Sequence, residues 1–141
     1  RDIDIVVELA AGDAAKVVAL LGAEFYVDED TVRDAIERRS MFNAIHMDQA
    51  LKIDFIVRKD DPYRVEELAR RRRVSIAGSD VWSAAPEDLV LSKLVWGRES
   101  ESELQLRDVR NLLASASLDW QYLEAWAARL GVADLLAKAR Q

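Results

Sequence analysis

Two stretches of the chain alternate apolar and polar residues with a period of two: Asp2-Ile3-Asp4-Ile5-Val6-Val7-Glu8-Leu9 and Leu51-Lys52-Ile53-Asp54-Phe55-Ile56-Val57. Side chains on a strand point to opposite faces in turn, so Asp2 and Asp4 share one face about 6.5 Å apart, and Ile3, Ile5, Val7 and Leu9 share the other. Between these strands the period lengthens. A helix is predicted from about Asp13 to Leu21, with Asp13 as its cap, Val17, Val18, Leu20 and Leu21 inward, and Gly22 at the stop. A short extended stretch, Glu24–Val27, leads to a second helix capped by Asp30 or Thr31 and ending near Arg39, with Val32, Ala35 and Ile36 inward. Met41–Met47 and Ala50–Val57 flank Asp48-Gln49 and read as a hairpin.

Pro62 opens a third helix running to about Arg73, followed by short strands at Val74–Ile76 and Val81–Ser83. Beyond Pro86 every signal is helical: Pro86–Trp96, Ser102–Ser115, Asp119–Leu130 and Val132–Ala139, punctuated by Gly97, a serine-rich turn and Gly131. A strand-rich first part and an all-helical second part predict an α+β fold, a mixed sheet with helices followed by a C-terminal helical bundle. The boundary is placed near Ala85, giving a core over 1–85 and a helical region over 86–141.

Composition narrows the chemistry. With no cysteine and one histidine among 141 residues, disulfides are excluded and a zinc site has few of its usual ligands. A metal held here is held by oxygen, which points to magnesium or manganese. No apolar run approaches the roughly 20 residues that span a bilayer, and a cytoplasmic location is the expectation. The net charge of −6 argues against a general nucleic-acid coat protein. Charge is uneven, however: Arg58 to Arg73 holds seven bases and four acids. That patch reads either as a receiver for RNA or a nucleotide tail, or as a solvated arginine-rich helix end complementing the helix dipole.

The acids Asp2, Asp4 and Asp54 carry two readings. If the two strands are neighbours, cross-strand spacings of about 4.5–5.5 Å gather three carboxylates, and folds that do so usually enclose a divalent cation. Alternatively, they are the solvated face of half-buried strands.

The D-x-D strand, the helix-bearing insertion and the later h-D-h strand together resemble the nucleotidyltransferase superfamily with the DNA polymerase β type of fold. The likeness is closer to small bacterial members, including abortive-infection and toxin–antitoxin enzymes. The matching residues are Asp2-Ile3-Asp4-Ile5, Phe42-Asn43-Ala44-Ile45-His46, Lys52-Ile53-Asp54-Phe55-Ile56, Pro86-Glu87-Asp88-Leu89-Val90-Leu91-Ser92-Lys93-Leu94 and Arg107-Asp108-Val109. The resemblance implies a metal-dependent transfer of a nucleoside monophosphate from a triphosphate to a hydroxyl of RNA, protein or a small molecule. It also implies a toxin–antitoxin or phage-defence setting, with an antitoxin as partner.

It implies a two-metal site of Mg2+ or Mn2+, with Asp2 and Asp4 bridging both ions and Asp54 ligating one and helping to deprotonate the acceptor. Lys93 corresponds to a lysine facing the nucleotide phosphates, and Asp108 to a late acid that orients that lysine or accepts a proton. On the residues alone, Lys93 reads equally as a snorkelling side chain and Asp108 as half of a surface ion pair. His46, within reach of Asp54 in principle, reads as a polar surface residue. Trp82, Trp96, Trp120 and Trp126 read either as base-stacking surfaces or, for most of them, as packing residues, and Arg33, Arg38 and Arg39 either as substrate contacts or, more in keeping with their setting, as solvated. The family's Gly-Ser or Gly-Gly phosphate turn should precede Asp2. None of Gly12, Gly22, Gly78, Gly97 and Gly131 forms such a loop, so the turn is expected in a segment before Arg1. The rival class is an inactive binding module that keeps the sheet and the carboxylates without turnover.

Overall fold

A computed structural model describes residues 2–100 and 102–141. The fold is α+β, divided into two compact units between Val65 and Glu66.

The first unit is built on a four-stranded mixed sheet. Strands β1 (Asp2–Val7), β2 (Phe25–Tyr26), β3 (Met41–His46) and β4 (Leu51–Val57) lie in the order β1-β4-β3-β2. β1 runs parallel to β4, whereas β3 is antiparallel to both β4 and β2. The parallel pair needs a long crossover, and the intervening helices α1 (Ala14–Leu21) and α2 (Glu29–Arg38) supply it. These helices cover one face of the sheet, where Ala14, Val32, Ala35, Ile36, Phe42 and Val57 form a buried cluster with Val7, Val17, Val18 and Phe55 packed around it. Phe42 stacks on its cross-strand partner Phe55 with ring centroids 5.0 Å apart.

Three local expectations are corrected here. Leu20 is 87% exposed rather than inward, because the short α1 turns Ala14, Val17 and Val18 to the sheet. Asp13 does not cap α1: its carboxylate accepts from the Ala10 amide (2.8 Å) and closes the 3-10 turn that precedes the helix. The cap of α2 is Asp28, two or three residues earlier than expected, with its Oδ2 accepting from both the amide (2.9 Å) and the hydroxyl (2.7 Å) of Thr31. Those two bonds hold the Asp28 carboxyl below its ordinary pKa.

Helix α3 (Pro62–Ala69) carries the chain across the division. The second unit contains the hairpin of β5 (Arg72–Ile76) and β6 (Ser79–Ser83), then helices α4 (Pro86–Ser100), α5 (Glu103–Ser115), α6 (Trp120–Arg129) and α7 (Ala133–Arg140). The third helix thus ends four residues sooner than its pattern predicts. Arg72 and Arg73 are drawn into β5, where they pair with Ser83 and Trp82. α4 to α7 pack around Val90, Leu91, Leu94, Val109, Leu123, Ala127, Val132 and Leu136. Gly97 does not stop α4, which passes through it. A Cβ there would stand 3.2 Å from the Gln105 Cβ, so the glycine serves the close approach of α4 and α5.

Candidate functional site

The sheet face opposite α1 and α2 gathers the acids. Parallel register sets Asp2 beside Lys52 and Asp4 beside Asp54, and Asn43 of β3 flanks Asp54 from the other side. All five side chains therefore share one face, by the alternation of their strands. Asp2 and Asp4 are exposed on the edge strand, while Asp54, on an inner strand, is only 8% exposed.

Charge on this face is arranged around Lys52. Its Nζ lies 3.1 Å from Asp54 Oδ2. The hydrogen bond and charge of Asp54 raise the Lys52 pKa above the ordinary lysine value, partial desolvation opposes this, and Asp2 and Asp4 add to the rise. Three carboxylates thus act on one ammonium. The second Asp54 oxygen, Oδ1, is buried and has no hydrogen-bond partner among the described residues. A buried carboxylate oxygen left without a donor costs free energy, and such an atom marks a place where a donor or cation would be stabilising.

The donor set suits a hard cation in kind, being all oxygen with one orphaned lone-pair site. Among the described residues, however, no group of three or more His, Cys, Asp or Glu side chains is arranged to hold a metal ion. Lys52 was legible in the sequence as the same-face neighbour two residues before Asp54, but its role as counter-ion was missed.

His46 is placed on the other face of the sheet from Asp54, because the two differ in strand parity across β3 and β4. It is no surface residue either: its side chain is 14% exposed, meets Phe25 edge-on at 5.0 Å, and its Nδ1 accepts from the Asp48 and Gln49 amides at 3.3 Å each. It closes the β3–β4 turn.

Lys93 and Asp108 belong to the second unit and come together there. Lys93 Nζ donates to Asp108 Oδ2 at 3.1 Å and to Gln105 Oε1 at 3.3 Å. Lys93 also borders a cavity of about 410 Å³ whose wall includes Arg98, Glu103, Asp134 and Lys138.

The remaining motif residues, Glu87 and Asp88, turn out to be a buried ionic anchor within the second unit. Asp88 is fully buried and accepts from Arg70 Nε (3.0 Å) and the Tyr122 hydroxyl (2.6 Å). Glu87 accepts from Arg70 Nη2 (3.3 Å) and the Asp119 amide (2.8 Å). The Arg70 guanidinium lies 3.6 Å from the Tyr122 ring centroid. Burial alone would push the Glu87 carboxyl up, but the Asp119 amide, its own amide and the guanidinia of Arg70 and Arg72 outweigh it and hold the carboxyl below its usual range. Burial and the Asp88 carboxylate raise the Tyr122 phenol far above its ordinary value. This network escaped the sequence reading because its hydrogen-bonded partners stand 17 to 34 residues apart.

No protein-family model matches the chain, and no curated protein matches it either.

Proposed function

We propose that this protein is a metal-dependent nucleotidyltransferase of the DNA polymerase β type, moving a nucleoside monophosphate from a triphosphate to a hydroxyl acceptor on RNA, protein or a small molecule. The observation that carries this reading is the orphaned, buried Asp54 Oδ1 on the sheet face where Asp4 stands directly beside it. Asp2, Asp4 and Asp54 are the residues that would hold magnesium or manganese. The bound ion would supply charge neutralisation at the phosphates and a lower pKa for the attacking hydroxyl.

The chain's own residues do the rest. Rigid pairing of β1 with β4 fixes the lateral spacing of Asp4 and Asp54, so no loop has to order before substrate arrives. Lys52 keeps the cluster partly neutral without substrate and can swing away, since its side chain is 40% exposed. Asp54, shielded from bulk water, is the carboxylate best placed to accept a proton from a hydroxyl brought to that face. A toxin–antitoxin or phage-defence role with an antitoxin partner belongs to the same proposal, resting on the resemblance alone. For location, the structure adds that no helix among the described residues is long and apolar enough to cross a membrane.

The Lys52–Asp54 ion pair favours a second reading, an inactive binding module in which the ammonium permanently takes the cation's place. One experiment separates the two. The protein is incubated with each labelled nucleoside triphosphate, Mg2+ or Mn2+, and total cellular RNA or protein. The proposal expects a labelled product that Asp4→Asn abolishes while its circular dichroism spectrum stays unchanged. Absence of product with every triphosphate, or full activity in Asp4→Asn, overturns the catalytic reading.

A further inference from the structure

The β5–β6 hairpin keeps a tryptophan in water. Trp82 is 58% exposed, although an indole normally buries much of its large apolar surface. Its cross-strand partner is Arg73, whose guanidinium carbon lies 5.5 Å from the ring centroid, and Arg71 approaches the same ring at 4.6 Å. Arg73 shares a face with Trp82 by cross-strand pairing, and Arg71, just before β5, brings its guanidinium to the same ring. Arg72 points the other way and lies 3.9 Å from Glu87. Asp80, 4.0 Å from Arg73, is the one acid between Arg72 and Ser83. Arg71 Nη1 also donates to the Leu68 carbonyl at 2.8 Å, which fixes the guanidinium beside the ring without a carboxylate partner among the described residues.

We propose that the Arg71–Trp82–Arg73 face of this hairpin is a binding platform for a single-stranded polynucleotide. Chemistry and charge both select that occupant. An exposed indole offers a π-face to any base, and flanking guanidinia neutralise the phosphates on either side of the stacked nucleotide. In a chain of net charge −6, an arginine pair on an aromatic is a local exception to repulsion of polyanions. An acidic protein segment would find the same charges but would have no use for the exposed part of the indole between them. The site lies wholly in the second unit and stands independently of the acids on the sheet.

The test uses fluorescence anisotropy with the whole chain and a fluorescein-labelled, mixed-sequence 12-nucleotide RNA at low salt, with the corresponding DNA strand and an RNA duplex as further probes. RNA and DNA single strands are expected to bind alike. Trp82→Ala should weaken single-strand binding by about 5- to 100-fold, and Trp82→Phe should restore most of it. The Arg71→Gln/Arg73→Gln double variant should flatten the salt dependence by about 1.4 in log–log slope, two phosphates at about 0.7 each. Duplex binding should be insensitive to Trp82→Ala. Because Trp82 is exposed, its variants are expected to keep the wild-type circular dichroism spectrum. No single-strand binding by the wild type overturns the proposal. So does equal binding by wild type and Trp82→Ala, or competition by polyglutamate as effective as by RNA.

Discussion

Replacing Arg70 by methionine isolates the anchor of the second unit. The side chain keeps an apolar stem of similar length, but two ionic hydrogen bonds vanish, one to Asp88 Oδ2 at 3.0 Å and one to Glu87 Oε2 at 3.3 Å, together with the contact on the Tyr122 ring. Removing one partner of a buried pair costs about 3–5 kcal/mol, because the remaining charge stays in a poor solvent. The side chains of Glu87 and Asp88 are 3% and 0% exposed, yet Arg70 itself is 25% exposed, so water screens its end of the pair and the lower figure, about 3 kcal/mol, applies. Loss of the cation–π contact adds about 0.5–1 kcal/mol. Against a total stability of about 5–15 kcal/mol this is a large fraction. With a urea dependence of about 1–3 kcal/mol/M, the unfolding midpoint should fall by about 2 M. Urea titration followed by far-ultraviolet circular dichroism measures it. A double-mutant cycle with Asp88→Asn should return a coupling of at least about 1 kcal/mol. A loss below about 1 kcal/mol for Arg70→Met would mean that Arg70 acts as an exposed ion pair and not as a buried anchor.

The same network sets a pH response. Glu87 binds its proton more weakly folded than unfolded, so its stabilising contribution is present above the unfolded carboxylate value of about 4.3 and is lost as pH falls through the lower folded value. Unfolding curves between about pH 5 and 3 should show this loss, and Arg70→Met should make it shallower. Tyr122 has the opposite sign: its raised pKa stabilises below the unfolded value of about 10 and is lost as pH climbs past it, so Tyr122→Phe should flatten the alkaline fall in melting temperature. Gly97→Val should cost about 1–3 kcal/mol in chemical denaturation by forcing α4 from α5, while Gly97→Ala should change little, its helix-propensity gain of about 1 kcal/mol offsetting the 3.2 Å contact. Phe42→Ala should lower stability by about 3–5 kcal/mol, read by the same urea titration, because its ring is buried and stacked on Phe55.

Much of the architecture could be read from local pattern because its causes are local. The alternation through Asp2–Ile5 and Leu51–Phe55 marked both strands and their polar faces, and Asp48-Gln49 marked the hairpin. Caps at Ser102 and Asp119 marked the starts of α5 and α6, with each side chain accepting from the amide three residues on. What failed locally was decided by partners farther away. Gly97 looks like a helix stop, but only the approach of Gln105 explains it. Arg72 and Arg73 look helical until β6 arrives to pair with them.

The candidate site divides in the same way. Strand parity alone put Asp2 with Asp4, and Lys52 with Asp54, each pair on one face of its own strand. That Asp4 falls opposite Asp54, rather than one register away, required the β1–β4 pairing itself. His46 misled because proximity in sequence to the acid-bearing strand says nothing of which face it takes, and the register assigns it the other one. Glu87 and Asp88 matched a motif, yet their partners Arg70 and Tyr122 carry no sequence signal that links them.

The proposed chemistry requires Asp54 as a cation ligand. Titrating the protein with Mn2+ and following free ion by electron paramagnetic resonance tests this directly. Saturable binding by the wild type, weakened at least about tenfold in Asp54→Asn, equivalent to about 1.4 kcal/mol, is the predicted result. Equal affinity in the two proteins, or no binding in either, would contradict it.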